Sequence, residues 1–231
     1  VTSDPEPLAA AAVVRGKTRR LLPDQRRAML LDRATNFFAE NGMAARTRAL
    51  ADACGVAQRL LYRYFPSKAA LLQDVYRQAI LAPFKPEWLT QLADRALPME
   101  QRLCRFYEDY CETVLSRRWM RLFLFAALDG ADMAPDYIRT IVFDMLRIIV
   151  EEAAAETRTE LPRSPELRYE LGWVLHGTIS HLAIRQHIYG ASRSVPTATV
   201  IRLHVATFLS GLAAGAARAR ASEAMEFPPH T

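Results

Sequence analysis

Glycine and cysteine are scarce in this chain, with nine and three in 231 residues. Few glycines, many alanines and arginines, and no run of alternating β-branched residues leave little from which to build a sheet, so the composition points to an all-α protein. Cys54, Cys104 and Cys111 show neither CxxC spacing nor an even-numbered framework, which suits a reduced, intracellular protein. No stretch is expected to reach membrane-spanning length. The apolar segment 8–14 follows Asp4 and Glu6, where a signal peptide needs positive charge, so a cytoplasmic protein without a membrane partner is expected. GxSxG, Walker and GxGxxG motifs are all missing. His176, His181 and His187 are spaced by five and six, which is neither a helical i, i+4 ligand pair nor part of HExxH. Catalytic residues, metal and cofactor are therefore all expected to be none.

The apolar content of 51% is ample for a core in one large or two modest domains. Charge is unevenly placed. Between Arg15 and Arg77 there are thirteen arginines and lysines against five acidic residues, whereas the chain as a whole carries only +5. A surplus of this size in one short region fits a polyanion-binding surface better than an ordinary solvated face.

The order of signals along the chain gives helices throughout. A first helix opens at Pro23, with Leu30, Ala34, Phe37 and Phe38 forming one apolar stripe, and ends at Asn41-Gly42. Thr47 is read as the N-cap of a short second helix, and Gly55 as the turn into a third over 58–64. Two short helices about a glycine turn, packed on a longer one, outline a helix-turn-helix. A fourth helix is expected over 67–81, then others over 87–96, 99–117, 119–129 and 135–158. Two long ones follow over 165–189 and 197–220.

The stretch from Arg27 to Val75 resembles the DNA-binding domain of the tetracycline-repressor (TetR) family. The resemblance rests on Phe38-x-x-x-Gly42, Thr47-Arg48-x-Leu50-Ala51, Gly55-Val56 and Leu61-Tyr62-x-Tyr64-Phe65-x-x-Lys68 at their mutual spacing. It departs from the usual pattern in a loop one residue shorter between Gly42 and Leu50, and in Ala57, which replaces a hydrophilic cap. The resemblance implies a homodimer with a recognition helix in the major groove and a C-terminal domain that binds an inducer. On this basis the chain divides into a flexible basic arm (1–22), a helix-turn-helix domain (23–66) and a connecting helix (67–82). A ligand-binding and dimerisation domain (83–221) and a tail (222–231) complete it.

Leu61 and Phe65 are expected to anchor the third helix inward, leaving Gln58, Arg59, Tyr62 and Arg63 outward. Gln58 suits adenine and Arg59 guanine in the major groove. By resemblance Tyr62, Tyr64 and Lys68 meet phosphates, Arg48 reaches a base edge, and Thr47 meets phosphate through its hydroxyl. Core packing of the two tyrosines and plain solvation of the arginines are the alternatives.

Aromatic residues crowd the C-terminal region. Phe106, Tyr110, Trp119, Phe123, Phe143, Trp173 and His176 are the candidates for a pocket that takes a hydrophobic or aromatic ligand; a filled core is the other reading. Arg121, Arg139 and Arg147 are candidates for pairing with an anionic group on such a ligand. For the dimer interface the candidates are Gly172, Gly177, Ile179, Leu203, Phe208, Gly211 and Gly215 on the two last helices. The resulting expectation is a repressor that binds a palindromic double-stranded DNA operator and is released by a small-molecule effector. A DNA-binding regulator or nucleoid-associated protein without an inducer is the alternative, and an all-helical enzyme a third.

Overall fold

The structure, a computed structural model, describes residues 22–192 and 194–226. Apart from Leu22, the arm expected over 1–22 lies outside the described residues. The first helix, α1 (Pro23–Asn41), starts with proline at its first position and Asp24 in its first turn, and the Gln25 side chain accepts from the Leu22 N–H at 3.3 Å. Gly42 ends it with φ +82°, donating its N–H to the Phe38 carbonyl at 2.9 Å. Helices α2 (Thr47–Ala53) and α3 (Gln58–Tyr64) are joined by a turn through Gly55 at φ +67°. Positive φ at both glycines is what a residue without Cβ permits.

Helix α4 (Lys68–Val75) is capped by the Ser67 hydroxyl, which accepts from the Ala70 N–H at 3.0 Å. It does not run on to 81 as a regular α-helix. Over Tyr76–Leu81 the chain widens into a π-helical turn. Then come α5 (Glu87–Ala93), α6 (Met99–Thr113), α7 (Arg117–Leu128) and α8 (Met133–Tyr137). A second π-helical turn, Ile138–Val142, leads into α9 (Phe143–Thr157), so the single helix expected over 135–158 is also interrupted. Helices α10 (Pro165–His187) and α11 (Thr197–Glu226) close the domain. Helix α11 outlasts the expected start of the tail at 222, because the Glu223 carboxylate accepts from the backbone N–H groups of Arg163 and Ser164 at 3.0 and 2.6 Å. That contact ties the end of α11 to the start of α10.

Helix α11 also corrects the reading that no segment is long and apolar enough to span a membrane. Its stretch Thr197–Met225 reaches a mean hydropathy of 1.5. Here Ile201, Val205, Phe208, Leu212 and Ala216 form one buried stripe against the bundle, and α11 packs on α6, α9 and α10. One apolar core runs through the whole molecule, from Leu30, Phe38, Leu61 and Phe65 to Trp88, Phe106 and Ile179. The N-terminal helices are thereby fixed on the larger bundle.

Helix α7 makes that junction. Arg117 pairs with Glu40, Arg118 donates to Asp32 and Asn36 at 2.8 and 3.0 Å, and Arg121 donates to the carbonyl oxygens of Ala39 and Glu40 at 2.5 and 3.1 Å. The Arg117 guanidinium holds the Glu40 carboxyl below its usual range. Phe125 lies against Gly42, and the Asp129 carboxylate accepts from the Ala44 N–H at 3.2 Å.

Candidate nucleic-acid interface and effector cleft

A helix that reads DNA needs one stripe buried and its opposite stripe polar and free. Helix α3 meets that need. Leu61 and Phe65 are each 1% exposed, while Gln58, Arg59, Tyr62 and Arg63 stand at the surface. The start of α2 lies beside them. Gln58 Nε2 and the Tyr62 hydroxyl both donate to Thr47 Oγ1, each at 3.1 Å, so three candidates from two helices form one hydrogen-bonded junction. Thr47 is not the N-cap; that position belongs to Arg46, and Thr47 is the first residue inside α2. Accepting two bonds leaves the Thr47 hydroxyl proton directed elsewhere, available to a phosphate oxygen.

Arg46, Arg48, Arg59 and Arg63 are exposed, and none of the ion pairs among the described residues involves them. Of the arginines on α1, Arg27 pairs with Asp74 and Arg33 donates to the Cys54 carbonyl at 2.7 Å, while Arg26 is half-buried and takes part in none of the ion pairs among the described residues. The exposed arginines of this domain with neither an ion pair nor a carbonyl bond are gathered on the α2–α3 face. Two further candidates are more enclosed. Tyr64 is half-buried against the core, and Lys68 is half-buried with Nζ donating to the Ala45 carbonyl at 2.9 Å. Lys68 thus fastens the loop that precedes α2. As expected from Ala57, α3 begins without a side-chain cap.

The larger domain contains an apolar cleft of about 820 Å³ between α7, α8, the second π-helical turn and the start of α10. Phe123, Ile138, Phe143 and Tyr169 supply its hydrophobic wall, and Arg139, Glu166 and Glu170 stand on it as charges. Of the aromatic candidates only Phe123 and Phe143 line this cleft, and Phe143 is 41% exposed. Trp119 stacks on Phe123 at 4.7 Å from behind. Phe106, Tyr110, Trp173 and His176 belong to a cluster of rings deeper in the bundle. Tyr169, which sequence reasoning passed over, joins cleft and cluster, being 5.3 Å from Phe143 and 5.7 Å from Trp173 between centroids. Its signal was the spacing Tyr169, Trp173, His176, an i, i+4, i+7 stripe. The three candidate arginines do not converge: Arg121 is held by α1, Arg147 by Asp144 and Glu151, and Arg139 by Asp136 at 2.5 Å.

The interface candidates divide in two. Gly172 and Ile179 are buried inside the subunit; a Cβ on Gly172 would lie 2.9 Å from that of Leu146 in α9. Phe208 also faces inward at 5% exposure, and Gly215 meets Leu171 of α10. Gly177 is half-buried beside Trp173. Leu203 and Gly211 do face outward, as does Val174, which the candidate set omitted; Leu203 is 64% and Val174 58% exposed. Between α10 and α11 runs a mainly apolar groove whose lining includes Val174, His204, Thr207 and Gly211 together with the candidates Phe208 and Gly215.

These features define a class: an all-helical protein in which a helix-turn-helix domain is docked on a larger helical bundle. Residues 30–75 match the model of the family described as bacterial regulatory proteins, tetR family. Over 53 residues, 22% of this chain, the sequence is 43% identical to the HTH-type transcriptional repressor KstR2 of Rhodococcus jostii (strain RHA1), and the match spans 26% of that repressor. The fold is similar to that of a TetR-like transcriptional regulator from Rhodococcus sp. RHA1, with TM-score 0.62, 20% identity, and 83% of this chain and all of that one covered. A tetR-family transcriptional regulator from Streptomyces coelicolor gives TM-score 0.51 at 18% identity, covering 90% of this chain and 94% of the other. Residues 30–75 thus match the DNA-binding domain of the tetR family, and the chain as a whole has a fold similar to that of these regulators.

Proposed function

We propose that this protein is a cytoplasmic, homodimeric transcriptional repressor that binds a palindromic DNA operator and leaves it when a small hydrophobic or aromatic effector enters the bundle. The observation that carries the DNA reading is the Thr47–Gln58–Tyr62 junction flanked by four unpaired arginines. It gives one polar, cationic face made of two helix starts, the shape and charge that a major groove and its phosphates require. In this reading Gln58, Arg59 and Arg48 face base edges, and Thr47, Tyr62 and Arg63 face the backbone. Tyr64 and Lys68 act by positioning the helices.

Dimerisation follows from the groove between α10 and α11. An exposed strip holding Val174 and Leu203, with Gly211 allowing close approach, suits a four-helix bundle with a second copy. Such a pairing presents two recognition helices together.

The effector reading rests on the apolar cleft of about 820 Å³, a size ordinary for small-molecule sites. Helix α7 relates it to DNA. Phe123 of α7 lines the cleft, Trp119 donates to the Ile80 carbonyl in the turn that continues α4, and the arginines of α7 hold α1. A ligand that binds better when α7 is displaced would thereby bias the orientation of the DNA-binding helices. Selection of bound DNA from a random pool, repeated with candidate effectors, tests the whole reading. A palindromic consensus whose recovery falls with an aromatic effector is expected, and DNA binding without sequence preference would refute it.

A further inference from the structure

Buried polar atoms in folded proteins are nearly always hydrogen-bonded, and an exception needs a cause. Two exceptions are neighbours at the centre of the bundle. The Tyr107 hydroxyl of α6 and Nδ1 of His176 on α10 have no hydrogen-bond partner among the described residues, although both residues are buried. Their ring centroids are 6.1 Å apart and the rings are inclined by 33°. Phe106, Tyr110 and Trp173 surround them. By contrast, the adjacent Tyr110 hydroxyl meets that of Tyr137 at 3.2 Å. Burial drives the His176 pKa down to about 4, so the imidazole is neutral near pH 7, and its Nε2 lies 3.4 Å from the Ser180 hydroxyl. A neutral imidazole has one donor and one acceptor, and in either tautomer Nδ1 is an unmet group.

Two series of side-chain contacts connect this pair with the cleft. Tyr169, Trp173 and His176 occupy one face of α10, at i, i+4 and i+7. Centroids step from Phe143 to Tyr169 at 5.3 Å, to Trp173 at 5.7 Å and to His176 at 5.2 Å. On the other side Tyr137 is edge-on to Phe123 of the cleft wall at 5.8 Å and bonded to Tyr110. Trp173 is only half-buried and is the ring of the α10 series next to His176. The third buried polar atom without a partner among the described residues is Nε of Arg102, whose other nitrogens bond the Leu92 carbonyl, Glu152 and Glu156.

We infer, resting on the effector reading above, that the effector is a neutral, mainly apolar ring compound bearing one carbonyl or hydroxyl group, which passes Trp173 to hydrogen-bond with the Tyr107 hydroxyl and His176 Nδ1. The cleft takes the hydrocarbon and the buried pair selects for the oxygen. Hydrocarbons lacking that oxygen leave both polar atoms unmet, and a charge in the oxygen's place would be buried among uncharged rings.

The test uses the full chain and two measurements. In the first, thermal melting without ligand compares wild type with Tyr107→Phe and His176→Leu. Because neither group has an internal partner, Tyr107→Phe is expected to melt at or above the wild-type temperature. A fall of more than about 3 °C would give the hydroxyl a structural partner, such as a bridging water, and overturn the proposal. In the second, fluorenone and fluorene, which differ by one carbonyl, are titrated against tryptophan fluorescence. Wild type should bind fluorenone at least about tenfold more tightly, and Tyr107→Phe/His176→Leu should reduce that preference to within about twofold with fluorene binding unchanged. No preference in wild type, or a preference kept in the double variant, overturns the polar subsite. If both compounds bind equally and release DNA, the apolar-cleft reading survives without it; if neither binds, both readings fail.

Discussion

The indole N–H of Trp119 donates to the carbonyl of Ile80 across 3.2 Å, joining α7 to the π-helical turn that continues α4. Trp119 also stacks on Phe123, a wall of the cleft, at 4.7 Å. The same side chain thus touches the cleft wall and the element leading to the helix-turn-helix. A π-helical turn is a place for adjustment, because its hydrogen bonds are out of register with the α-helix before it.

Trp119→Phe keeps an aromatic ring against Phe123 and Tyr137 but removes the donor. Operator affinity without effector is expected to stay within about threefold, whereas effector-driven release should weaken by about tenfold, the scale of an ordinary coupling energy between sites. Operator titrations at fixed effector concentrations measure both. Equal effector response in wild type and variant would show that the Trp119–Ile80 bond carries no coupling.

On the DNA side, Gln58→Ala and Arg48→Ala should alter base preference at single operator positions by about 1–3 kcal/mol. Thr47→Val removes the acceptor shared by Gln58 and Tyr62, so it should relax preference at the Gln58 position and also weaken binding overall. Lys68→Ala should lower the melting temperature through the lost Ala45 bond and leave the salt slope of binding nearly unchanged. Binding selections together with salt titrations distinguish these. A salt slope reduced by about one unit in Lys68→Ala would restore Lys68 to the phosphate contacts.

The helix-turn-helix was legible because its signals are local. Gly42 and Gly55 adopt the positive φ that their positions imply, and Leu61 with Phe65 needs only helical spacing to be recognised as the inward stripe. The two π-helical turns were not legible, since their hydrogen-bond register is set by what α7 and α8 press against them rather than by residue type. The glycines of α10 and α11 posed a different problem. Both helices carry apolar or small residues on several faces, so periodicity does not tell which side is inside. Gly172 meets Leu146, Gly211 meets nothing within 4 Å, and only tertiary packing separates them. Lys68 reads as a phosphate contact in sequence and Glu223 carries no signal, yet each satisfies backbone groups far along the chain.

That division of the glycines gives opposite expectations for two substitutions. Gly172→Ala places a methyl 2.9 Å from the Leu146 Cβ, so it should destabilise the subunit by about 1–3 kcal/mol. Gly211→Arg meets open space in the subunit and should leave folding intact, while preventing close approach of a second copy. Light scattering should find it monomeric at tens of micromolar, with operator binding weaker by about a hundredfold through lost avidity. A Gly211→Arg protein that stays dimeric would remove the α10–α11 groove from the interface.

The last prediction concerns pH. His176 is buried and its folded pKa is depressed from 6.5 to about 4. In the unfolded chain it takes a proton near pH 6.5, whereas in the folded protein it does not until about pH 4, so the unfolded state binds more protons over that window. Stability should accordingly be fully present above pH 6.5 and fall as pH drops toward 4, by an amount on the order of 3 kcal/mol, and be flat for this group below that. His204, partly buried and also depressed, contributes in the same direction. The paired carboxylates Asp109 and Glu152, held low by Lys85 and Arg95, lose their contribution only as pH falls into and through the ordinary carboxylate range. Denaturant unfolding between pH 6.5 and 5 therefore isolates the histidines, and comparison with His176→Leu isolates His176. The variant should lose most of the slope that wild type shows there. An unchanged slope would mean that His176 is protonated as readily inside the fold as outside it, which a site without charge partners does not allow.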